Sequence, residues 1–147
     1  MRNRATCHHE SGFTLIELVI VMGILAILIG VVVISLNPAR QFASSRNTQR
    51  WSHVNVILNS IGQNSADNRG IFTCAIGPIP TSTTVLGTSG YDIDTCITPT
   101  YIATLPLDPS TGTSTDIGYS IVRNPTSGRV TVTADDAELE ETISVIR

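Results

Sequence analysis

The hydrophobic pattern predicts one long helix with two different halves. A mainly apolar run, Phe13 to Leu36, is long enough to cross a bilayer as a helix. Asn37-Pro38 removes one backbone donor, so we expect a kink there and not an end, since helical periodicity resumes. Beyond the proline, apolar residues recur at steps of three and four until about Ser65, which indicates a face that packs on a core. This apolar stripe consists of Trp51, Val54, Ile57, Leu58 and Ile61.

After the helix, the pattern predicts a small head with a C-terminal sheet. Residues 71–116 are rich in Thr, Ser, Gly and Pro, which favours a long connecting loop with a short strand near residues 83–86. Three alternating apolar runs follow, at 117–121, 130–132 and 143–145. We therefore expect an α+β fold in which a long helix, apolar and then amphipathic, packs against about three antiparallel strands.

Charge is distributed unevenly along the chain, whose formal net charge is −3. Residues 37–70 carry four arginines and one aspartate, whereas residues 71–147 carry nine acidic residues and three arginines. One interpretation is that helices of one copy face heads of another, and ordinary solvated charge explains the pattern equally well. Nucleic-acid binding has candidate residues on the helix. These are Arg40, Arg46 and Arg50 for phosphate contacts and Trp51 as a platform on which a base could stack. The acidic head, however, argues against a general affinity for nucleic acid.

Few residues are suited to catalysis. The chain has no lysine. From residue 13 onwards its one histidine is His53, which we interpret as a solvated residue of the helix. Catalytic triads and lysine chemistry therefore have few possible participants, and we expect neither an enzyme nor a cofactor. Acidic residues of the head offer oxygen ligands for calcium, but none shows a full ligand pattern, so we predict no metal site.

One carboxylate, Glu17, lies inside the apolar run. An ionised glutamate at that depth costs about 2.5 kcal/mol or more unless it is paired. A free amine is the obvious partner, because a cut between Gly12 and Phe13 would create an α-amino group one helical turn away. The alternative is a carboxylate that snorkels near the helix end, where the helix dipole also favours negative charge.

The sequence GFTLIELVIVMGILAILIG, residues 12–30, resembles the processing and membrane segment of type IV prepilins and pseudopilins. The resemblance implies that a dedicated peptidase cuts after Gly12 and N-methylates Phe13. It also implies that Glu17 pairs with that amine during filament assembly. The resulting organisation is a leader at 1–12, a transmembrane and assembly helix at 13–36, an amphipathic continuation at 37–65 and a pilin-like head at 66–147.

The cysteines fit an exported head. Cys7 lies in the leader, so the mature chain keeps Cys74 and Cys96 as an even pair. In an oxidising compartment, a disulfide between them would close the loop-rich segment and stabilise the head by a few kcal/mol. Two free thiols in a reducing compartment are the alternative. Neither cysteine has a close second ligand, so the spacing is not that of a zinc site.

The resemblance predicts a structural subunit of a type IV pilus-like extracellular filament. Its implied partners are further copies in a helical filament, prepilin peptidase, and the assembly platform and motor, with no small-molecule substrate. The chain would cross the inner or cytoplasmic membrane once, leader inside, before it enters an extracellular or periplasmic filament. The alternatives are a pseudopilin of a type II secretion system and a minor pilin that acts as an adhesin or DNA-uptake receptor. A membrane-tethered enzyme would need convergent catalytic groups, which the sequence lacks.

The segment around Asp108 is a further point of comparison. Leu105-Pro106-Leu107-Asp108-Pro109 is similar to a segment of major pseudopilins, some of which bind calcium in their heads. Ser110 stands where a tryptophan usually follows, and this departure weakens the inference of calcium binding.

Overall fold

A computed structural model describes residues 12–147, so the predicted leader lies outside the described residues except for Gly12. The chain divides at Pro38 into two compact units. In the first unit the apolar run forms helix α1, Leu15–Ser35, and every residue of this helix is exposed. With 21 residues and a mean hydropathy of 3.2, α1 is the one helix in the described part that is long and apolar enough to cross a membrane. So large an apolar surface needs lipid or other apolar surfaces around it.

A break separates α1 from the second helix. The sequence pattern predicts one kinked helix, and this prediction is wrong, because α1 ends at Ser35 and helix α2, Pro38–Asp67, begins at the proline. Asn37, between them, has a φ of 42°, in the left-handed region that asparagine tolerates better than most residues. Proline suits the first position of a helix because its missing N–H would have no partner there. Pro38 therefore starts a new helix.

The buried face of α2 is partly apolar and partly polar. The predicted stripe is buried between positions 54 and 61. Trp51, which the periodicity places in the same stripe, is 36% exposed, so this part of the prediction is wrong. Towards the N-terminus the buried face continues through Asn47 and Arg50 instead. These two side chains have polar partners in the head, which makes their burial possible.

Within residues 12–147, four antiparallel strands form one sheet, in their order along the chain. The strands are β1, Thr84–Val85; β2, Tyr119–Arg123; β3, Val130–Ala134; and β4, Ile143–Ile146. The three predicted C-terminal strands are confirmed, and the short strand expected near residues 83–86 pairs with β2 as a fourth. Ile121 pairs with Val132, and Val132 pairs with Val145, so apolar residues of neighbouring strands share a face.

The core of the head lies between α2 and this sheet. Tyr119, Ile121, Val132 and Ile143 of the sheet are completely buried and belong to one cluster with the apolar residues of α2. Residues of the segment between α2 and β2 complete the cluster, namely Ile79, Leu86, Tyr91, Ile93, Ile97 and Ile117. The fold is therefore α+β, with the pilin-like arrangement predicted from the sequence.

The long segment between α2 and β2 contains one short helix, α3, Asp94–Ile97, and a disulfide. The bond joins Cys74 to Cys96, whose Cα atoms are 5.2 Å apart. Asn64 of α2 donates hydrogen bonds to the carbonyl oxygens of Thr73 and Cys96, at 3.1 and 3.3 Å. The disulfide therefore lies beside the C-terminal part of α2 and holds both ends of a long loop there.

Removing this disulfide is expected to destabilise the head. The two cysteines are 22 residues apart, and closing a loop of that length restricts the unfolded chain enough to stabilise the fold by about 3 kcal/mol. The Cys74→Ser/Cys96→Ser variant should unfold at a lower denaturant concentration than the wild type, measured by tryptophan fluorescence in detergent. Cys7→Ser is the matched control and should not change the midpoint. Equal midpoints, or two alkylatable thiols in freshly isolated wild-type protein, would contradict the prediction.

Candidate processing and assembly site

A helix cap positions the segment before α1. Thr14 is the N-cap, with extended backbone at φ −80° and ψ 152°, and its side-chain oxygen accepts a hydrogen bond from the backbone N–H of Glu17 at 3.3 Å. A threonine followed three residues later by glutamate is the capping-box pattern, which marks where a helix begins. The apolar pattern predicts a start at Phe13, but the cap moves the start of α1 to Leu15.

The peptide bond between Gly12 and Phe13 lies outside α1. Both residues are exposed, Phe13 to 79%, and neither belongs to a helix or a strand. Peptidases bind their substrates in extended form, and this backbone is free of the helical hydrogen bonds that would oppose that form. The Thr14 cap thus leaves the predicted cleavage point accessible.

Glu17 lies in the first turn of α1 and is the only ionisable residue of that helix. Its side chain is exposed, as are those of Ile16 and Leu18, at 63% and 54%. The position near the helix N-terminus favours a negative charge. Glu17 therefore presents a carboxylate within an apolar surface, and its pairing with a Phe13 amine of another copy stays a prediction.

A buried polar cluster joins α2 to the head, and the sequence pattern does not predict it. Arg50 is completely buried. Its Nε donates to Oδ2 of Asp108 at 2.6 Å, and its Nη2 donates to Oδ1 at 3.1 Å. The guanidinium also donates to Ser110 at 2.7 Å and to Glu138 at 2.9 Å. A buried ion pair is tolerated only when its other polar atoms are bonded as well, and these additional bonds meet that condition.

The loop that contains Asp108 is shaped around this carboxylate. Asp108 accepts hydrogen bonds from the backbone N–H groups of Ser110 and Thr111, at 2.8 and 3.1 Å. Gly118 packs directly against it, since an added Cβ would come within 2.5 Å of the Cβ of Asp108. Gly118 also has a φ of 81°, so both space and backbone conformation require glycine there.

A second set of bonds fixes the loop between β3 and β4 to α2. Arg46 donates from Nε and Nη2 to the carboxylate of Glu138, at 2.7 and 2.6 Å. Asn47 donates to the carbonyl oxygen of Glu138 and accepts from its N–H, at 2.7 and 3.0 Å. Trp51 donates from Nε1 to Glu141 at 2.7 Å. This last bond explains why Trp51 lies at the edge of the interface and not in the core.

The cluster depends on ionised carboxylates. Burial by itself would raise the pKa of Asp108, but hydrogen bonds from Arg50 and from its own loop lower this pKa well below its usual range. Hydrogen bonds from Arg46 and then Arg50 lower the pKa of Glu138 to about 2. The hydrogen bond with Asp108 in turn raises the pKa of Arg50. All these groups are therefore charged at neutral pH.

These contacts change the interpretation of two sequence features. Asp108 lies in the segment that is similar to pseudopilin heads. Its negative charge is balanced by Arg50 and not by a bound cation. Arg46 and Arg50, which the sequence offers as phosphate contacts, form ion pairs within the head. Among residues 12–147, no group of three or more His, Cys, Asp or Glu side chains is placed to hold a metal ion.

His53 is half-buried, so its interpretation as a solvated residue is wrong. Its Nδ1 lies 2.8 Å from the hydroxyl of Tyr119, which is completely buried. Burial lowers the pKa of His53 and favours the neutral ring. The residue therefore contributes to the packing of α2 on β2.

Comparison with known proteins gives one result for the N-terminal part of the chain. Residues 7–33 match the family model described as the prokaryotic N-terminal methylation motif. Gly12, Phe13 and Glu17 all lie within the matched residues. No curated protein and no solved structure matches the chain. Together with the apolar helix α1 and the α+β head, this motif supports the resemblance of the chain to type IV prepilins and pseudopilins.

Proposed function

We propose that this protein is a structural subunit of a type IV pilus-like extracellular filament, and that it polymerises through α1 after prepilin peptidase has removed the leader. The observation that carries the proposal is the methylation motif at residues 7–33, which overlaps a fully exposed apolar helix. Lipid covers that helix while the subunit is in the membrane. In the filament, the helices of neighbouring copies replace the lipid, so the apolar surface stays out of water in both states.

Pairing of charges directs the assembly. Cleavage after Gly12 exposes the amine of Phe13, which is then methylated. In the apolar interior of a filament this ammonium and the carboxylate of Glu17 are each costly alone, and each offsets the other when two copies bring them together. A copy displaced along the helix axis would leave both charges unpaired. The pair therefore sets the register of each added subunit.

The head forms a firmly connected outer surface. The Arg50 cluster ties two loops to α2, and hydrogen bonds from Asn64 tie the loop that the disulfide closes to the same helix. Heads held in one conformation can make the same contacts at every position of a helical array. These properties suit a structural role.

The mature subunit is expected to begin with N-methylated Phe13. The measurement is the intact mass of protein sheared from the cell surface, with electron microscopy of the same material to reveal fibres. The mass should correspond to residues 13–147 with one added methyl group and one disulfide. A Gly12→Leu variant is the control and should keep the leader. A surface protein that retains residues 1–12, or that is cut after the apolar segment, would contradict the proposal. Processed protein without surface fibres would favour a pseudopilin of a secretion system.

A further inference from the structure

His53 of α2 and Tyr119 of β2 form a hydrogen bond across the interface between the helix and the sheet. The Nδ1 atom of His53 lies 2.8 Å from the hydroxyl oxygen of Tyr119. Tyr119 is completely buried, whereas His53 is half-buried. Within residues 12–147 this hydroxyl has no other hydrogen-bond partner. The buried hydroxyl therefore depends on a single ring nitrogen.

The protonation state of His53 decides the direction of this bond. The hydroxyl of Tyr119 can donate to Nδ1 only when the ring is neutral and carries its proton on Nε2. In the imidazolium both ring nitrogens carry a proton, so Nδ1 must donate and the O–H of Tyr119 loses its acceptor. An unsatisfied buried donor is costly. Burial raises the pKa of Tyr119, so the hydroxyl does not avoid this cost by losing its own proton.

Neighbouring charges do not remove this cost. The charged groups that act on the pair are Asp108, from the loop before β2, and Arg50, from α2 itself, while β2 contributes the uncharged Tyr119. Asp108 favours the imidazolium, but its carboxylate is bonded to Arg50 at 2.6 Å. Burial has the larger effect and lowers the pKa of His53 below its ordinary 6.5. The folded head thus favours the neutral ring.

We propose that the bond between His53 and Tyr119 is a pH-sensitive latch, which holds α2 on the sheet while His53 is neutral and weakens this attachment when His53 gains a proton. The unfolded chain takes up this proton near pH 6.5, at about the ordinary value for histidine, whereas the folded head resists it. The stabilisation is therefore complete above about pH 6.5, and the folding equilibrium weakens by up to about tenfold for each pH unit below it. The inference does not depend on the filament, because it concerns the folding of one head.

The titration of His53 can be isolated in this chain. From residue 13 onwards His53 is the one histidine, and Glu138 and Asp108 lose their charges only at lower pH. The pKa of Asp135 is raised by burial and by the nearby charges of Asp136 and Asp116. A carboxyl with a raised pKa stabilises the folded state as the pH falls, which is the opposite direction. A loss of stability between about pH 7 and pH 5 therefore points to His53.

Chemical denaturation at two pH values tests the latch in the full chain, in detergent. Between about pH 7 and pH 5 the equilibrium constant for unfolding of the wild type should rise roughly fivefold or more. His53→Asn places an amide oxygen near the position of Nδ1 but cannot gain a proton, so this variant should lose the rise. Tyr119→Phe removes the hydroxyl that depends on the ring, so its rise should be clearly smaller than that of the wild type.

Tyr91→Phe is the matched control. Tyr91 is also buried, but its hydroxyl donates to the carbonyl oxygen of Gly77 at 2.7 Å, and that oxygen does not titrate. This variant should lose stability equally at both pH values and keep the pH dependence of the wild type. NMR titration of the His53 ring gives a readout without unfolding. Its midpoint should lie below 6.5 in the wild type and move towards 6.5 in Tyr119→Phe.

Three results would overturn the latch. The first is the same pH dependence of unfolding in the wild type and in His53→Asn. The second is the full wild-type pH dependence in Tyr119→Phe, which would show that burial of the ring alone resists the proton. The third is an NMR midpoint of His53 at or above about 6.5 in the wild type, a result that decides the question even if a variant fails to fold.

Discussion

Replacement of Glu17 by alanine is expected to abolish filament assembly while membrane insertion and cleavage continue. Insertion should be unchanged or slightly improved, because the change removes a costly charge from an apolar helix. Cleavage should persist, because the Gly12–Phe13 bond lies outside α1 and the Thr14 cap uses the backbone N–H of Glu17 and not its side chain. In the filament each Phe13 ammonium would lose its partner, and an unpaired buried charge costs about 3 to 5 kcal/mol. This cost recurs at every subunit addition.

Filament yield, measured by shearing and immunoblot, decides this prediction. Ile16→Ala shortens an exposed neighbour on the same helix and is the matched control, which should assemble. Glu17→Gln keeps the size of the side chain without its charge and should fail as Glu17→Ala does. Coexpression with the wild type should show poor entry of the alanine variant into filaments. Normal yield from Glu17→Ala alone would show that the carboxylate is merely tolerated.

Replacement of Arg50 by leucine is expected to cost the head about 3 to 5 kcal/mol of its free energy of unfolding, because Asp108 would keep a buried charge without a cation. Both side chains are completely buried, so water cannot substitute for the lost partner. A loss of this size is a large part of the stability of a small domain, about 5 to 15 kcal/mol. Chemical denaturation followed by tryptophan fluorescence measures it.

Two further variants distinguish the loss of this buried ion pair from the loss of an arginine elsewhere in the head. Arg129→Leu removes an exposed arginine and should change the free energy of unfolding by no more than about 0.5 kcal/mol. Arg50→Leu/Asp108→Leu removes both charges and should recover part of the lost stability, since no unpaired charge remains. Wild-type stability of Arg50→Leu would show that the cluster does not hold the head together.

The same cluster should make the head sensitive to acid. The pKa of Glu138 falls from 4.5 to about 2 in the folded state, and that of Asp108 falls below its usual 3.8. The unfolded chain therefore takes up protons first, so the stabilisation is complete above about pH 4.5 and is lost as the pH falls towards 2. Arg50→Leu should make this pH dependence shallower.

Local patterns in the sequence determine much of this protein. The methylation motif is visible because a glycine precedes a phenylalanine and a single glutamate interrupts an apolar run, and none of this needs a distant residue. The strands follow from alternation with a period of two, which reflects how a strand exposes one face and buries the other. The even cysteine pair likewise points to the disulfide that the structure contains.

Only the tertiary structure decided which side chains of α2 are buried towards its N-terminal part. Helical periodicity ranks residues by apolarity, so it selects Trp51, while the fold buries Arg50 next to it. The partners of Arg50 are Asp108 and Glu138, which are 58 and 88 residues away, and no local pattern links residues so far apart. A charged side chain can occupy a core position when distant chain segments supply its counter-charges, and that condition is set by the packing of the whole head.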